Sequence, residues 1–381
     1  MIMKATDAKL KIDAIDDEIA SLYVKRMQLA AEIFSDAKRD VSVTDGTLVE
    51  KATVNRVTKS MPDDMKLYAK QLFDAIYNTA RAYGRESRGL PSKVRTEIDL
   101  ALEKGEETFP VSATVACQGV AGAYAQIAAD KMFPIADILY FKDWDAVFGA
   151  VERGLCDFGV LPIENSSVGS VNAVYDLMRK HSFHIARAIR LRVQHYLLAK
   201  PGTEAKDITE IYSHKQAIEQ CSDFLKTIPG VKVTIVENTA VAARKVKESD
   251  SASVACIASE SCAGIYGLKV LKQNIQDNDL NYTRFIAISK DMHLYEDADK
   301  ISIMVNLPNE TGSLNRILNK FSTLGLNLTK LESRPMGNTD FEFAFYFDFE
   351  GRVDRPEVKN LLSELENECV RFMFLGSYKQ L

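Results

Sequence analysis

The N-terminal part of the chain carries the apolar spacing of long helices. Between residues 12 and 33, apolar side chains recur every three or four positions, which predicts one seam of a long helix. Arg26 interrupts this seam, where a charge is costly unless it serves a ligand or a partner. Two further helices are predicted over about 46–59 and 62–84, the second with Pro62 in its first turn. This part of the chain is therefore predicted to be all-helical.

Residues 111–290 alternate short apolar runs with helical patterns. Such alternation predicts an α/β unit with a largely parallel sheet, which binds ligands where its strands end and loops begin. In CDFGVLPIENSSVGSV (156–171), four polar residues, Glu164 to Ser167, follow an apolar run, and we expect them to occupy such a loop. The predicted strands are 113–117, 138–141, 156–161, 184–191, 193–199, 208–212, 232–237, 253–258 and 283–289, with helices over 143–153, 170–180, 215–226 and 239–248.

Residues 300–381 read strand, helix, strand, strand, helix, strand. In FEFAFYFDF (341–349), the five Phe residues fall on one face, which predicts a sheet covered by helices on one side. The charged stretch 85–110, with Gly89, Pro91 and Gly105, is predicted to be a linker with a short helix near 94–104.

Composition narrows the classes of protein that fit. The chain has 381 residues, 46% of them hydrophobic and 27% charged, which is typical of a soluble protein of two or three domains. A net charge of −5 without a long basic run disfavours nucleic acid as a partner. No signal-peptide pattern and no run of about 18 apolar residues is present, so we expect a cytoplasmic protein without a membrane span. The six cysteines form no CxxC pair and are interpreted as reduced thiols.

Three short motifs in the middle segment combine glycine or polar residues with strand ends. They are GVAGAYAQIAA (119–129), SHKQAIEQC (213–221) and NYTRF (281–285). Taken singly, each fits a structural role: a capping turn, a helix cap by Ser213 beside a surface His214, and Thr283 as an ordinary strand residue. Because such residues recur at several strand ends of one α/β unit, we expect them to converge on one cleft.

Together these motifs resemble those of a known family. GVAGAY, LPIENSSVGSV, SHKQAIEQC and NYTRF, in this order, resemble prephenate dehydratase. Residues 300–381, with GSLN (312–315) and ESRP (332–335), resemble the phenylalanine-binding ACT domain, and the helical N-terminus resembles the all-α chorismate mutase of bacterial P-proteins. The resemblance implies a multidomain α and α/β protein, with a two-lobed dehydratase unit of periplasmic-binding type and a ferredoxin-like βαββαβ ACT domain. The implied boundaries are 1–90 (mutase-like), 91–110 (linker), 111–291 (dehydratase) and 299–381 (ACT).

The family's reaction converts prephenate to phenylpyruvate, water and carbon dioxide. Aromatisation drives this reaction, so the resemblance implies neither a redox cofactor nor a metal. Glu164 is open to two interpretations, a proton donor with a raised pKa or a brace for its loop. The residues that the resemblance places at the catalytic site are Thr283, Arg284, Phe285, Glu164, Asn165, Ser166, Ser213, His214 and Gln216.

The resemblance also implies feedback inhibition by phenylalanine and a homodimer or homotetramer. Three alternatives remain open: a bifunctional mutase–dehydratase, an arogenate dehydratase, and a non-catalytic ligand sensor. The residues expected to enclose phenylalanine are Gly312, Ser313, Leu314, Asn315, Glu332, Ser333, Arg334 and Pro335.

The mutase-like region departs from the family's pattern. Arg26 is retained and Lys9 replaces an expected arginine, but the lysine expected at position 37 is displaced to Lys38. The Asp-x-x-Arg-Glu pattern is reduced to Asp45 and a displaced Glu50, and Ala80 and Gly84 replace a serine and a glutamine. Each lost donor costs about 3 kcal/mol of transition-state stabilisation. We therefore predict negligible mutase activity and a remaining role in dimerisation through the long helix.

Overall fold

The computed structural model describes residues 2–36, 52–87, 92–105, 107–335 and 343–381, and only the backbone at 2–6, 34–36 and 85–87. The chain divides into two compact units, Met1–Lys93 and Val94–Leu381. They are described in turn.

The first unit is helical in its described part. It contains α1 (Ile2–Asp36), α2 (52–58) and α3 (Lys66–Ser87). The predicted helix start at Pro62 is wrong, because this residue forms a turn in which its carbonyl accepts a hydrogen bond from the Met65 amide at 3.0 Å. The seam of α1 is exposed along its length in the single chain, with Ile19 53% and Ile33 71% accessible. Residues 46–51 of the second predicted helix lie outside the described residues.

The second unit contains fifteen strands in its described part. They are β1 (Ser112–Gln118), β2 (Ile135–Phe141), β3 (Phe158–Asn165), β4 (Gly169–Ser170), β5 (His184–Arg192), β6 (Tyr196–Ala199), β7 (Glu210–Ser213), β8 (Lys232–Ile235), β9 (Val254–Ala258), β10 (Lys269–Lys272), β11 (Tyr282–Ser289), β12 (Lys300–Asn306), β13 (Leu328–Pro335), β14 (Phe343–Glu350) and β15 (Arg371–Gln380).

Ten α-helices accompany these strands in the described residues of the unit. They are α4 (Lys93–Glu103), α5 (Tyr124–Met132), α6 (Trp144–Glu152), α7 (Asn172–His181), α8 (Lys215–Glu219), α9 (Ser222–Lys226), α10 (Thr239–Glu248), α11 (Ser261–Tyr266), α12 (Ser313–Thr323) and α13 (Pro356–Glu368), and a single 3₁₀ turn spans Ala205–Asp207.

The first sheet joins the middle and C-terminal segments. Its strand order is β13-β14-β12-β15-β5-β11-β3-β1-β2, with β4 paired to β3. The prediction of a largely parallel sheet is wrong, since β11 runs antiparallel to both β3 and β5, although β1 runs parallel to β2 and β3 and β15 runs parallel to β5. The chain returns from the second sheet to the first, where β11 lies between the earlier strands β3 and β5. The apolar periodicity of a segment does not show in which direction its strand will run in the sheet.

The second sheet has the order β10-β6-β9-β7-β8 and is also mixed. Every residue of β9 is buried, and α10 packs its alanine-rich face against this strand. The helix predicted over 215–226 is broken at Cys221 into α8 and α9. Two strands, β4 and β10, were not predicted, since neither shows a clear apolar alternation.

The C-terminal segment follows the predicted strand and helix order. Phe347 and Phe349 of β14 are buried beneath α12 and α13, as the alternation predicts. The opposite face of β14 is buried as well, because Ala344, Tyr346 and Asp348 pack against the middle segment. The ring of Tyr346 meets that of Tyr175 edge to face, with 4.4 Å between centroids. The sheet is therefore covered on both sides.

The predicted linker contains α4, and this helix belongs to the C-terminal core. Val94 and Ile98 are buried among side chains of α12, α13 and the adjoining strands. The Val94 amide donates to the Glu366 carboxylate at 3.2 Å, and Lys359 forms a 2.8 Å ion pair with Asp99. Burial of an apolar helical face stabilises this arrangement.

Candidate active site

The register of β3 and β11 separates the predicted catalytic residues into two sets. Thr283 lies opposite Asn165, and Arg284 lies opposite Glu164. Successive residues of a strand point to opposite faces, so Thr283 and Asn165 share one face, while Arg284 and Glu164 share the other. β3 also continues through Asn165, which corrects the expectation that Glu164 and Asn165 lie in a loop. Pairing with β4 and β11 extends the ladder past the end of the apolar run.

Asn165 holds the Thr283 hydroxyl from one side. Its Nδ2 donates to Thr283 Oγ1 at 2.8 Å, and its Oδ1 accepts from the amides of Ser167 and Val168 at 3.0 and 3.1 Å. These two backbone donors assign the orientation of the Asn165 amide, so the nitrogen must face Thr283. Thr283 Oγ1 then acts as an acceptor, and its own proton is available to another group.

The same network crosses to the second sheet. Asn165 Nδ2 also donates to Asn281 Oδ1 at 2.9 Å, and Asn281 Nδ2 donates to Gln220 Oε1 at 3.0 Å. His195 Nε2 lies 2.9 Å from the same Gln220 oxygen. We call Thr283, Asn165, Asn281, Gln220 and His195 the amide cluster. It links the strands that carry Thr283 to the loops around the second sheet.

The glutamine of the amide cluster is Gln220, whereas Gln216 is the one that the sequence predicted for the catalytic site. The two glutamines are four residues apart, a spacing that puts them on one side of a helical turn, so sequence alone did not distinguish them. The Gln216 side chain is not part of the amide cluster. Asn281 and His195 were also missed: Asn281 stands in the NYTRF motif but was not selected from it, and His195 lies within a predicted strand.

Other residues predicted for the site lie outside the amide cluster. The Ser213 hydroxyl is fully buried and donates to the Ile257 carbonyl at 2.8 Å, which ties β7 to β9. Ser166 donates to the Leu280 carbonyl and accepts from the Tyr282 amide, both at 2.9 Å. His214 directly precedes α8, and burial lowers the pKa of its ring. Phe285 is buried in the core of the first sheet.

The opposite face of β3 and β11 carries charge. Arg284 Nη1 forms a 2.6 Å ion pair with Asp348 Oδ2, and both side chains are about nine-tenths buried or more, 11% and 6% exposed. Ser302 donates to the other Asp348 oxygen at 2.5 Å and meets the Tyr378 hydroxyl at 2.8 Å. Arg284 therefore points toward the C-terminal segment and away from the Thr283 face.

Glu164 lies in the same charged group. Its carboxylate is 3.2 Å from Lys330 Nζ and 3.6 Å from Arg284 Nε. Lys330 is also 3.0 Å from Glu332, and both of these side chains bond the Ser170 hydroxyl. Because Glu164 is held on the face away from Thr283, it is not placed to pass a proton to a ligand there. We call Glu164, Arg284, Lys330, Glu332 and Asp348 the ion cluster.

The expected phenylalanine residues also divide between two faces. Glu332 belongs to the ion cluster, and Arg334 donates to the Asn172 carbonyl at 3.0 Å, so both engage the middle segment. Ser333 and Pro335 alternate with them and are exposed on the helix-facing side. Gly312 directly precedes α12 and has a φ of +87°. Ser313, Leu314, Asn315 and Arg316 form the first turn of this helix, and Ser313 is buried.

The glycine turn predicted to cap α5 joins the two sheets. Ser259 donates to the Gly122 carbonyl at 3.1 Å, and the Tyr266 hydroxyl donates to the Ala121 carbonyl at 2.7 Å. Gly122 has a φ of +87°, and a Cβ there would lie 2.7 Å from the Cys262 sulfur. Glycine is required at this position for both backbone conformation and close approach.

Of the expected mutase-site residues, Lys9 and Arg26 are described. Lys9 is exposed, and the Arg26 guanidinium carbon lies 4.6 Å from the centroid of the Tyr77 ring. Ala80, where the family pattern has serine, is buried. Lys38, Asp45 and Glu50 lie outside the described residues.

Two negative findings hold within the described ranges. No group of three or more His, Cys, Asp or Glu side chains there is arranged to hold a metal ion. No described helix combines the length and apolarity needed to cross a bilayer.

The fold and the two clusters define an α/β enzyme unit coupled to a C-terminal regulatory domain. The chain belongs to the prephenate dehydratase family: the family model for prephenate dehydratase matches residues 115–293, and that for the ACT domain matches 301–367. The arogenate dehydratase/prephenate dehydratase 2 of Arabidopsis thaliana is 38% identical over 69% of this chain and 72% of its own.

Two further comparisons cover the helical region and the fold. The bifunctional chorismate mutase/prephenate dehydratase of Stutzerimonas stutzeri is 32% identical over 97% of this chain and 96% of its own. The crystal structure of prephenate dehydratase from Arthrobacter aurescens, in complex with L-Phe, has a TM-score of 0.63 at 30% identity and covers 70% of this chain and 89% of that one.

Proposed function

We propose that this chain converts prephenate to phenylpyruvate, with Thr283 as the residue that assists departure of the ring hydroxyl. The observation that carries the proposal is the fixed hydrogen-bond polarity at Thr283, whose Oγ1 accepts from Asn165 and whose hydroxyl can therefore donate to a ligand. The bond between the ring and its carboxylate breaks to release carbon dioxide, its electron pair completes the aromatic ring, and the ring hydroxyl leaves with one proton as water. A hydrogen bond that strengthens as hydroxide departs lowers this barrier.

The amide cluster also bears on the choice between prephenate and arogenate. The two substrates differ in the side chain, which is a keto acid in prephenate and carries an ammonium group in arogenate. Thr283, Asn165, Asn281 and Gln220 are uncharged, and the nearest carboxylate of the catalytic motif, Glu164, is engaged by Lys330 on the other face. An ammonium group is bound well by carboxylates, so this composition favours the keto acid.

The test is a substrate comparison on the purified full chain. We expect kcat/KM for prephenate to exceed that for arogenate by at least about tenfold, the factor that corresponds to about 1.4 kcal/mol. Formation of phenylpyruvate and of phenylalanine, respectively, reports each reaction. A preference for arogenate would contradict the substrate assignment, and turnover of neither would contradict the enzymatic proposal.

Phenylalanine is proposed to inhibit through the ACT domain. Gly312–Asn315 and Glu332–Pro335 are the proposed binding residues, and the ion cluster supplies a physical route from there to the catalytic strands. β13 carries Glu332 and Lys330, and Lys330 contacts Glu164, the residue directly before Asn165. Phenylalanine can shift catalysis through this route only if it binds two arrangements of the cluster unequally.

The finer architecture is part of the same proposal. The two sheets of the middle segment would form two lobes of periplasmic-binding type with the substrate cleft between them, and the C-terminal domain would be ferredoxin-like. We retain the boundaries 1–90, 111–291 and 299–381 but place α4, from the linker, with the ACT domain, since its buried face packs in that core. We propose a cytoplasmic homodimer or homotetramer, with the exposed seam of α1 as a pairing surface.

The mutase-like region is proposed to lack activity. Lys9 is exposed, and Ala80 offers no hydrogen-bond donor from its side chain. Arg26 keeps a cation beside Tyr77, but one cation does not replace the several donors that bind two carboxylates and an ether oxygen. The relative from Stutzerimonas stutzeri is named as bifunctional, so a chorismate assay of this chain tests the difference directly.

A further inference from the structure

His195 is a buried histidine at the edge of the amide cluster, just before β6. It is only 2% exposed, and its Nε2 lies 2.9 Å from Gln220 Oε1. Its backbone amide donates to Gln276 Oε1 at 2.9 Å, and its backbone carbonyl accepts from the Ile275 amide at 3.0 Å. Its Nδ1 is buried and has no hydrogen-bond partner among the described residues. The ring is therefore held by one polar contact, and that contact is to the cluster.

The direction of that contact follows from the backbone donors at the other end. The Ser167 and Val168 amides assign the Asn165 oxygen, so Asn165 Nδ2 donates to Asn281 Oδ1. The Asn281 nitrogen is then the donor to Gln220 Oε1. His195 Nε2 meets this same oxygen, which only accepts, so the ring must be protonated at Nε2. Burial lowers the pKa of the His195 ring, which favours the neutral ring over the charged one.

This arrangement leaves the nitrogen end of the Gln220 amide unpartnered among the described residues. Its oxygen receives two donors, and its Nε2 is buried without a partner among the described residues. If the amide turned over, its nitrogen would face the nitrogens of Asn281 and His195, which are both donors. Two hydrogen-bond donors that face each other in a buried site are unfavourable. His195 and Asn281 together therefore hold the Gln220 amide with its oxygen toward them.

We propose that His195 is a positioning residue for the dehydratase reaction, whose Nε2–H holds Gln220 in place and, through Gln220 and Asn281, supports the Asn165 amide that bonds Thr283. His195 acts on Gln220 and does not contact the substrate in this assignment. The inference rests on the proposed function for its kinetic consequence, but the tautomer is a property of the folded chain alone.

Two substitutions at His195 separate this role from simple packing. His195→Gln keeps a nitrogen donor close to the position of Nε2, whereas His195→Leu removes it. We expect turnover to fall about 10- to 100-fold in the leucine variant, with a smaller change in KM, and to recover at least threefold in the glutamine variant. His184→Leu, a second substitution of a largely buried histidine that lies outside the amide cluster, serves as the matched control, and circular dichroism verifies that each variant is folded.

A double-mutant cycle tests the path of the effect. Gln220→Leu and His195→Leu remove the two ends of one contact, so the double variant should lose little more turnover than Gln220→Leu alone. Full additivity of the two losses would overturn the inference, as would wild-type turnover in the His195→Leu variant.

A readout without substrate keeps this inference distinct from the proposed function. The chain has five histidines, so nitrogen NMR of the protein labelled at histidine resolves each ring, and the His195→Gln spectrum identifies the signal. We expect the neutral Nε2–H tautomer throughout pH 6–8. An Nδ1–H tautomer or a charged ring would refute the inference even if the enzyme is active. The expected tautomer in an enzyme that does not turn over prephenate would refute only the proposed function.

Discussion

Arg284 stands within the TRF motif, yet its side chain is committed to Asp348 of β14. We predict that Arg284→Met acts mainly on the docking of the ACT domain. The two charged atoms are 2.6 Å apart, and both side chains are largely buried, 11% and 6% exposed. At an effective dielectric constant of about 20, this separation corresponds to about 6 kcal/mol of attraction before the cost of desolvation.

Removal of one partner leaves the other charge buried. We expect Arg284→Met to lower the free energy of unfolding by about 3–5 kcal/mol, the range for a broken buried pair. Asp348 keeps its hydrogen bond from Ser302, which does not neutralise the carboxylate. Arg284→Met/Asp348→Leu removes both charges and should lose less stability than the single Arg284→Met variant, because no unpaired charge remains.

Urea unfolding monitored by fluorescence measures this effect. The chain has one tryptophan, Trp144, which packs against the core cluster that contains Tyr346 and Tyr378 of the C-terminal domain. Its signal should therefore follow loss of that core. The reasoning would be refuted if Arg284→Met unfolded like the wild type while its turnover fell as strongly as that of a Thr283 variant.

The remaining predictions concern regulation, pH and the helical region. Lys330→Met should weaken phenylalanine inhibition at least about tenfold and change uninhibited turnover less, measured as the half-inhibitory concentration; unchanged inhibition would contradict a role for the ion cluster. Burial lowers the pKa of His184 to about 4, although the nearby Asp291 acts to raise it. As the pH falls, the His184 ring is therefore protonated in the unfolded chain before it is protonated in the folded one. The free energy of unfolding should fall by up to about 3 kcal/mol between about pH 6.5 and pH 4. His184→Phe should flatten that part of the urea stability profile, and an unchanged slope would exclude His184 as its source. The purified chain should show no saturable conversion of chorismate, and turnover at an ordinary enzymatic rate would restore the bifunctional alternative.

Much of the fold could be predicted because local patterns coincide with the packing. The strand and helix order of the C-terminal domain follows from period-two and helical spacing, and Phe347 and Phe349 are buried as their alternation predicts. The mixed strand directions of the first sheet could not be predicted, since β11 lies between β3 and β5 only because the chain returns to this sheet from the second one. The face of β14 that carries Asp348 was predicted to be uncovered but is buried, for a similar reason. Asp348 can be buried because Arg284, 64 residues earlier in the chain, pairs with its charge.

The candidate site shows the same division between local and distant information. Polar residues at strand ends correctly pointed to Thr283 and Asn165 as neighbours, which lie opposite each other in the ladder. The motif could not show that the next pair, Arg284 and Glu164, faces the other way, because that depends on β3 continuing as a strand. Gln220 could not be separated from Gln216 without the partners Asn281 and His195.

The central claim is that the Thr283 hydroxyl assists departure of the leaving group, and a matched pair of variants tests it most directly. Thr283→Val keeps the shape and removes the hydroxyl, whereas Thr283→Ser keeps the hydroxyl that Asn165 holds at 2.8 Å. Steady-state kinetics with prephenate should show kcat reduced by about 10²–10⁴ in the valine variant, with KM changed less than about threefold, and substantial activity in the serine variant. A valine variant with near wild-type kcat would contradict the account.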